Sequence, residues 1–300
     1  MRSLSAPGPE VMAVEAAGLT FSHGGGEPAL EEVSFEMRAG EFLALIGPNG
    51  GGKSTLLRLI SGLLRPGRGT VKVFGGAPAA ARRQIGYVPQ FSALSNAFPA
   101  TVLEMTLMGA AVPGVRGGSW GEDRPAKEKA LAYLDIFGLA QCAKLPLSAL
   151  SGGQRRRALV ARALMGGPEE FILRPGAGEP EFPFLLLLDE PTAGIDAEGA
   201  FCFYEFLGGL RGGISVVVAS HDLYMVSPFF DHAVFVNRRL TRIPDASLTP
   251  ESLAALFGPH LHACPLADMQ HSGGIVHSSG CTHPACASGP ELQPDNSNTG

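Results

Sequence analysis

The chain has 300 residues, a formal net charge of −5, 45% hydrophobic residues and five cysteines. That length and apolar share can bury a sizeable core, in one large or two smaller units, while the acidic balance leaves no basic stripe to neutralise a nucleic-acid backbone. Three of the five cysteines fall after Phe257, which is no disulfide framework and points to a reducing compartment.

Residues 1–10 (MRSLSAPGPE) lack the apolar run of a secretory signal. Residues 11–21 and 30–37 read as two strands joined at Gly24-Gly25-Gly26, the second supported by alternation at Val33, Phe35 and Met37. Phe42-Leu43-Ala44-Leu45-Ile46 is a continuous apolar run of the kind that parallel sheets bury on both faces. It empties into Gly47-Pro48-Asn49-Gly50-Gly51-Gly52-Lys53-Ser54, which fits G-x-x-x-x-G-K-[ST]. Glycines let such a loop wrap its backbone N–H groups around a polyphosphate; Lys53 reaches the β and γ phosphates, and Ser54 offers a hydroxyl to Mg²⁺. A helix is expected over 54–61, its positive end aimed at the anion and Gly62 as its C-terminal cap. The chain carries 40 glycines, so the bare motif could arise by chance, but the strand before it and the helix after it argue against that.

Short strands are expected over 70–74 and 84–88, and from residue 91 to about 150 the pattern turns helical, with helices over 102–108 and 126–137 and a surface loop at 113–123. A helix rich in Arg and Ala follows at 154–165. Leu185-Leu186-Leu187-Leu188 then runs into Asp189-Glu190, and carboxylates at the C-terminal end of a buried parallel strand sit where α/β sheets hold ligands. Asp189 is expected to hold Mg²⁺ opposite Ser54 and Glu190 to face an attacking water; the plainer alternative is an acidic helix start after a core strand. The four aromatics of helix 197–210 (Phe201, Phe203, Tyr204, Phe206) read as core packing, and 215–220 as a buried strand ending at His221. Residues 233–236 and 240–243 read as a hairpin about Asn237-Arg238. The longest strongly apolar run, 182–188, falls short of the roughly 20 residues a membrane helix needs, so any membrane role is expected to come through a partner.

Leu150-Ser151-Gly152-Gly153-Gln154 is a second phosphate-binding device, a hydroxyl and glycine N–H groups at a helix start. With the first loop and Asp189-Glu190 it makes the chain resemble the ATP-binding subunit of ABC transporters, over about residues 11–257. The resemblance implies an α/β fold: a P-loop NTPase (RecA-like) core over 11–90 and 155–245, with an antiparallel β lead-in and an inserted ABC α-helical subdomain at 91–154. A tail over 246–300 is expected to be disordered from residue 259. It also implies ATP and Mg²⁺ as cofactors and a head-to-tail dimer, each ATP lying between one copy's Lys53 loop and the other's Ser151 loop. The nucleotide set would then be Gly47, Pro48, Asn49, Gly50, Gly51, Gly52, Lys53, Ser54 and Thr55, with Ser151, Gly152, Gly153, Gln154 and the D-loop Asp196. Gln90 matches the Q-loop glutamine that touches Mg²⁺, and His221 the switch histidine that orients γ-phosphate, Glu190 and water. Arg155 to Arg157 fall in the helix behind the second cradle rather than on nucleic acid. Two positions depart from the family pattern: His23 stands where an aromatic commonly stacks on adenine, and 169–183 is a longer stretch than the family leads one to expect, read here as a surface excursion.

The wording of several motifs, among them Thr192-Ala193-Gly194-Ile195-Asp196 and His221-Asp222-Leu223, looks most like the zinc/manganese/iron uptake branch, ahead of siderophore, haem or cobalamin importers. A soluble ABC ATPase of DNA repair or translation, usually a double cassette or a long coiled coil, is the rival of another class; an exporter subunit is a further alternative. On the favoured reading the partners are integral membrane permease subunits and an extracytoplasmic metal-binding protein, with no nucleic acid, and the chain sits on the cytoplasmic face of the membrane. In the tail, His260, His262, Cys264, Cys281, His283 and Cys286 are candidate Zn²⁺ ligands, Cys281-x-His283-x-x-Cys286 having ligand-like spacing; incidental His content is the equal alternative.

Overall fold

The computed structural model describes residues 11–90, 99–110, 124–174, 180, 182–193, 195, 197–220 and 229–243. The chain divides into 1–249 and 250–300, and the second unit lies wholly outside the described residues. Strand β1 (Met12–Ser22) pairs antiparallel with β2 (Pro28–Arg38). Leu30, Val33 and Met37 of β2 point inward, and the break in alternation between the first two falls at Glu32, whose φ of 51° marks a bulge. After β3 (Phe42–Ile46) and helix α1 (Lys53–Ile60) comes β4 (Arg68–Val73), which lies on the other edge of β1.

The second sheet is built from β5 (Ile85–Val88), β6 (Leu185–Asp189), β7 (Ser215–Ser220), β3, β8 (His232–Asn237) and β9 (Arg239–Ile243), in that spatial order. The first five are parallel and β9 runs antiparallel to β8. Every residue of β3, β6 and β7 is buried, as their unbroken apolar sequences require of strands covered on both faces. Helix α1 packs against both sheets: Leu56, Leu57, Leu59 and Ile60 share one core with Leu19, Leu30 and Val33 of the antiparallel sheet and Leu43, Leu45, Leu185 and Val217 of the parallel one. Each such side chain contributes about 1.5–3 kcal/mol by leaving water. From β3 the chain crosses to the far edge, works back through β5, β6 and β7 to lie beside β3, and then passes to β8 on its other side. The loops that leave β3, β6 and β7 therefore open on the same end of the sheet, at the point where strand order reverses.

Helices α2 (Val102–Leu107), α3 (Arg124–Ile136) and α4 (Gly152–Leu164) pack on one another, with Val102, Met105, Tyr133, Leu134 and Leu159 buried between them. Thr101 starts α2 with a capping box, its Oγ1 accepting from Glu104 N at 3.2 Å while Glu104 Oε2 accepts from Thr101 N at 2.8 Å. The predicted loop at 113–123 lies outside the described residues.

Two expectations are corrected. The stretch 169–183 is not a plain surface excursion, because it begins as helix α5 (Glu169–Leu173), whose Phe171 and Ile172 are 7% and 1% exposed. The Phe171 ring fills the space that a Cβ on Gly213 would need, and Lys129 of α3 donates to Gly167 O at 3.1 Å and pairs with Glu169 at 3.7 Å. An apolar Phe-Ile-Leu run is costly in water, and here it plugs the core. The second correction concerns helix α6 (Ala197–Gly209): Phe203 and Tyr204 are buried, but Phe201 is 51% exposed and meets Phe229 edge-on, centroids 5.7 Å apart. Residues two apart lie on opposite sides of a helix, so Phe201 and Phe203 cannot both face one core.

Candidate functional site

The loop after β3 is shaped by glycine. A Cβ on Gly47 (φ 152°) would collide with Val236 O, and one on Gly52 (φ 104°) would stand 2.6 Å from Ala29 O. The β8–β9 turn pins the loop from behind, Arg238 N donating to Gly51 O at 2.9 Å. Helix α1 then begins with no side-chain cap and no acidic residue in its first turn, which leaves its N-terminal N–H groups for an anion.

Lys53 is 6% exposed, and its Nζ donates to Gly47 O at 2.7 Å and Pro48 O at 3.1 Å. Burial pushes its pKa below the ordinary lysine value, against the opposing pull of the Glu190 and Asp189 charges. Ser54 Oγ donates to Asp189 Oδ1 at 3.0 Å. Asp189 is 1% exposed, and its Oδ2 is buried with no hydrogen-bond partner among the described residues. Burial raises the Asp189 pKa above the ordinary carboxyl value, the Ser54 hydrogen bond working against it and the Glu190 charge with it. A hydroxyl and a carboxylate with an unsatisfied oxygen are hard oxygen donors, and they fit Mg²⁺.

Glu190 follows at once, 7% exposed, with φ at 51°. A non-glycine residue in the left-handed region costs about 1–2 kcal/mol. The surroundings hold it there: Glu190 N donates to Ala219 O of β7 at 2.9 Å, and Ala193 N donates to Glu190 O at 3.3 Å. The parallel register Val88↔Leu188 brings exposed Gln90 to the same sheet end, two residues beyond β5. His23 is exposed, with Nε2 3.4 Å from Thr55 Oγ1 and its ring edge-on to Phe21 at 4.8 Å. His221, Asp196 and all six candidate tail ligands lie outside the described residues.

The Ser151 segment forms a separate N-terminal device. Ser151 Oγ accepts from Gln154 N at 3.2 Å and Gln154 Oε1 accepts from Ser151 N at 3.0 Å, a capping box that starts α4 two residues before the predicted 154. Ser151 and Gly152 are exposed, and a Cβ on Gly152 would meet nothing within 4 Å. Among the described residues, no hydrogen bond or ion pair joins Ser151–Gln154 to the Gly47–Ser54 loop. The three arginines behind it diverge: Arg155 Nη2 donates to Leu150 O at 3.3 Å, Arg156 is buried, and Arg157 Nη1 donates to Phe137 O at 2.9 Å. The capping box was readable as S-x-x-Q, whereas nothing in the sequence marks Arg156 as buried.

Residues 30–173 match the family model described as ABC transporter. The chain is 36% identical over 220 residues to the zinc uptake system ATP-binding protein ZurA of Listeria innocua, covering 71% of this chain and 79% of that one. It is 33% identical over 282 residues to the zinc import ATP-binding protein ZnuC of Paracoccus denitrificans, covering 90% and 97%. Among solved structures it is similar to a bacterial ABC transporter cassette seen as a dimer, with a TM-score of 0.61, 28% identity and coverage of 76% and 97%.

Proposed function

The chain belongs to the ABC transporter family as an ATP-binding protein, and from that premise we propose that it is the ATP-hydrolysing subunit of a system for uptake of a divalent metal ion. Zinc is the first candidate cargo, since it is the ion named for the relatives in Listeria and Paracoccus. Hydrolysis is carried by one observation: beside the glycine loop, Asp189 accepts from Ser54 and keeps a buried, unsatisfied Oδ2.

In this reading the backbone N–H groups of 47–52 and the start of α1 cradle the ATP phosphates, and Lys53 exchanges the Gly47 and Pro48 carbonyls for the β and γ phosphates. Thr55 and His23 border the nucleoside side of the loop. Ser54 and Asp189, with Gln90, would hold Mg²⁺, which when bound neutralises charge on the phosphates. Glu190 positions and deprotonates the attacking water, assisted by His221. The exposed Ser151 and Gly152, with the part-buried Gly153 and Gln154, serve the γ-phosphate held by a second copy, in a head-to-tail pair to which Asp196 also belongs. No helix among the described residues is long and apolar enough to cross a membrane. In this reading the cargo path belongs to separate permease subunits, fed by an extracytoplasmic metal-binding protein, with this chain on their cytoplasmic face.

The test is to purify the chain with its permease, reconstitute both in liposomes and measure phosphate release. Stimulation by Zn²⁺ or Mn²⁺ presented on the external side is expected; stimulation by haem, cobalamin or a ferric siderophore alone would assign another cargo.

A further inference from the structure

Among the described residues five charged side chains are buried: Lys53, Arg155, Arg156, Asp189 and Glu190. Three of these belong to the site above, and Arg155 braces the turn into α4 through Leu150 O and Ser148 O. Arg156 is 8% exposed, and a guanidinium taken from water needs compensating negative charge. Burial weakens its hold on its proton, and the Glu190 charge works against that loss without cancelling it.

The geometry brings the helix that carries Arg156 against the turn that follows Glu190. The chain after Glu190 folds back on itself, with Ala193 N donating to Glu190 O at 3.3 Å and Ile195 N to Thr192 O at 3.0 Å. The first turn of α4 lies against this turn, the Cβ position of Gly153 standing 3.9 Å from Ile195 Cγ1. Arg156 follows Gly153 by three residues and so lies on the same face of α4. Lys53 acts on the same carboxylate from the glycine loop. Two buried cations of one chain, Lys53 from the glycine loop and Arg156 from α4, thus belong to the segments beside Glu190, whose backbone sits in a conformation that needs outside support.

We propose that Arg156 is a positioning residue for Glu190, holding the carboxylate in place from the helix whose start faces the partner copy's nucleotide. When ATP brings negative charge beside Glu190, Arg156 offsets the repulsion that would push the carboxylate away. The Ser151 motif and the water-activating group of one chain are thereby coupled through a single helical turn. This rests on the reading of Glu190 as the base.

Single-turnover hydrolysis of MgATP by the full chain tests it, with nucleotide affinity and melting temperature measured alongside. Arg156→Gln and Arg156→Met are expected to slow turnover about tenfold with KM for ATP changed less than about twofold, Met keeping the packed stem without the charge, while Arg156→Lys recovers most of the rate. Wild-type turnover in Arg156→Met, or equal loss in the Lys and Met variants, would overturn the proposal by making Arg156 a packing residue. Glu190→Gln run in parallel separates the two claims: if it is slow while Arg156→Gln is not, only the positioning role falls; if Glu190→Gln turns over normally, the base assignment falls first.

Discussion

At Asp189 the fold keeps a carboxylate almost wholly out of water and satisfies one of its oxygens. Its raised pKa means that the native state holds the proton to a higher pH than the unfolded chain does. The cost of the charged form is thus absent below the ordinary carboxyl pKa, grows as pH rises through the raised value, and is complete above it. Without nucleotide or Mg²⁺, the melting temperature of Asp189→Asn relative to wild type should therefore climb as pH rises above the ordinary carboxyl range of about 4, a trend that differential scanning fluorimetry would reveal. Lys53 differs in that its buried ammonium is satisfied by the loop's own carbonyls, which a nucleotide must replace. Lys53→Ala should abolish ATP binding at micromolar nucleotide in a calorimeter, since a charge-assisted contact to phosphate is worth about 1.5–3 kcal/mol even before geometry is considered. The His23 ring borders Thr55 on one side and meets the Phe21 ring at a right angle. If the base stacks there, His23→Tyr should tighten ATP binding by a few-fold, about 0.5–1 kcal/mol, in the same calorimeter.

Helix α5 ties the helical insert to the core, since it plugs the space beside Gly213 with Phe171 and meets α3 through Lys129 and Glu169. Phe171→Ala should cost about 3–5 kcal/mol in urea unfolding without changing the KM for ATP, whereas a surface excursion would have tolerated it. This element was hard to read in the sequence because five residues are too few to establish a period, and a Pro/Gly-rich stretch follows. By contrast, β3, β6 and β7 stood out, because a strand buried on both faces has to be apolar at every position and few other structures demand that. The glycine loop and Asp189-Glu190 were legible for a related reason: G-x-x-x-x-G-K-[ST] after an apolar strand, and an apolar strand that ends in two acids, are patterns few other structures demand. Strand order was not legible, since Leu188 pairing with Val88 and Val218 depends on contacts far apart in the chain. The same holds for Arg156, whose burial arises from α4 meeting the turn after Glu190, and for Phe201, which composition alone could not separate from its buried neighbours.

On the scale of the whole molecule, the sheet gathers Lys53, Ser54, Asp189 and Glu190 at one end, and the insert carries Ser151 at the start of a helix whose other end packs on β5. Neither segment contains the histidines and cysteines of the tail. Truncation after Gly258 should leave the ATPase rate unchanged, and equilibrium dialysis of the two forms with Zn²⁺ would show whether those residues bind metal. The central claim is that the ATP site is shared by two copies and that Glu190 activates the water. Glu190→Gln removes the base while keeping a hydrogen-bonding side chain, and a general base contributes about 10²–10⁴ in rate. The decisive measurement is gel filtration of Glu190→Gln with MgATP, beside phosphate release. The account predicts a dimer that retains ATP and turns over at least about 100-fold more slowly than wild type; a monomer with normal turnover would contradict it.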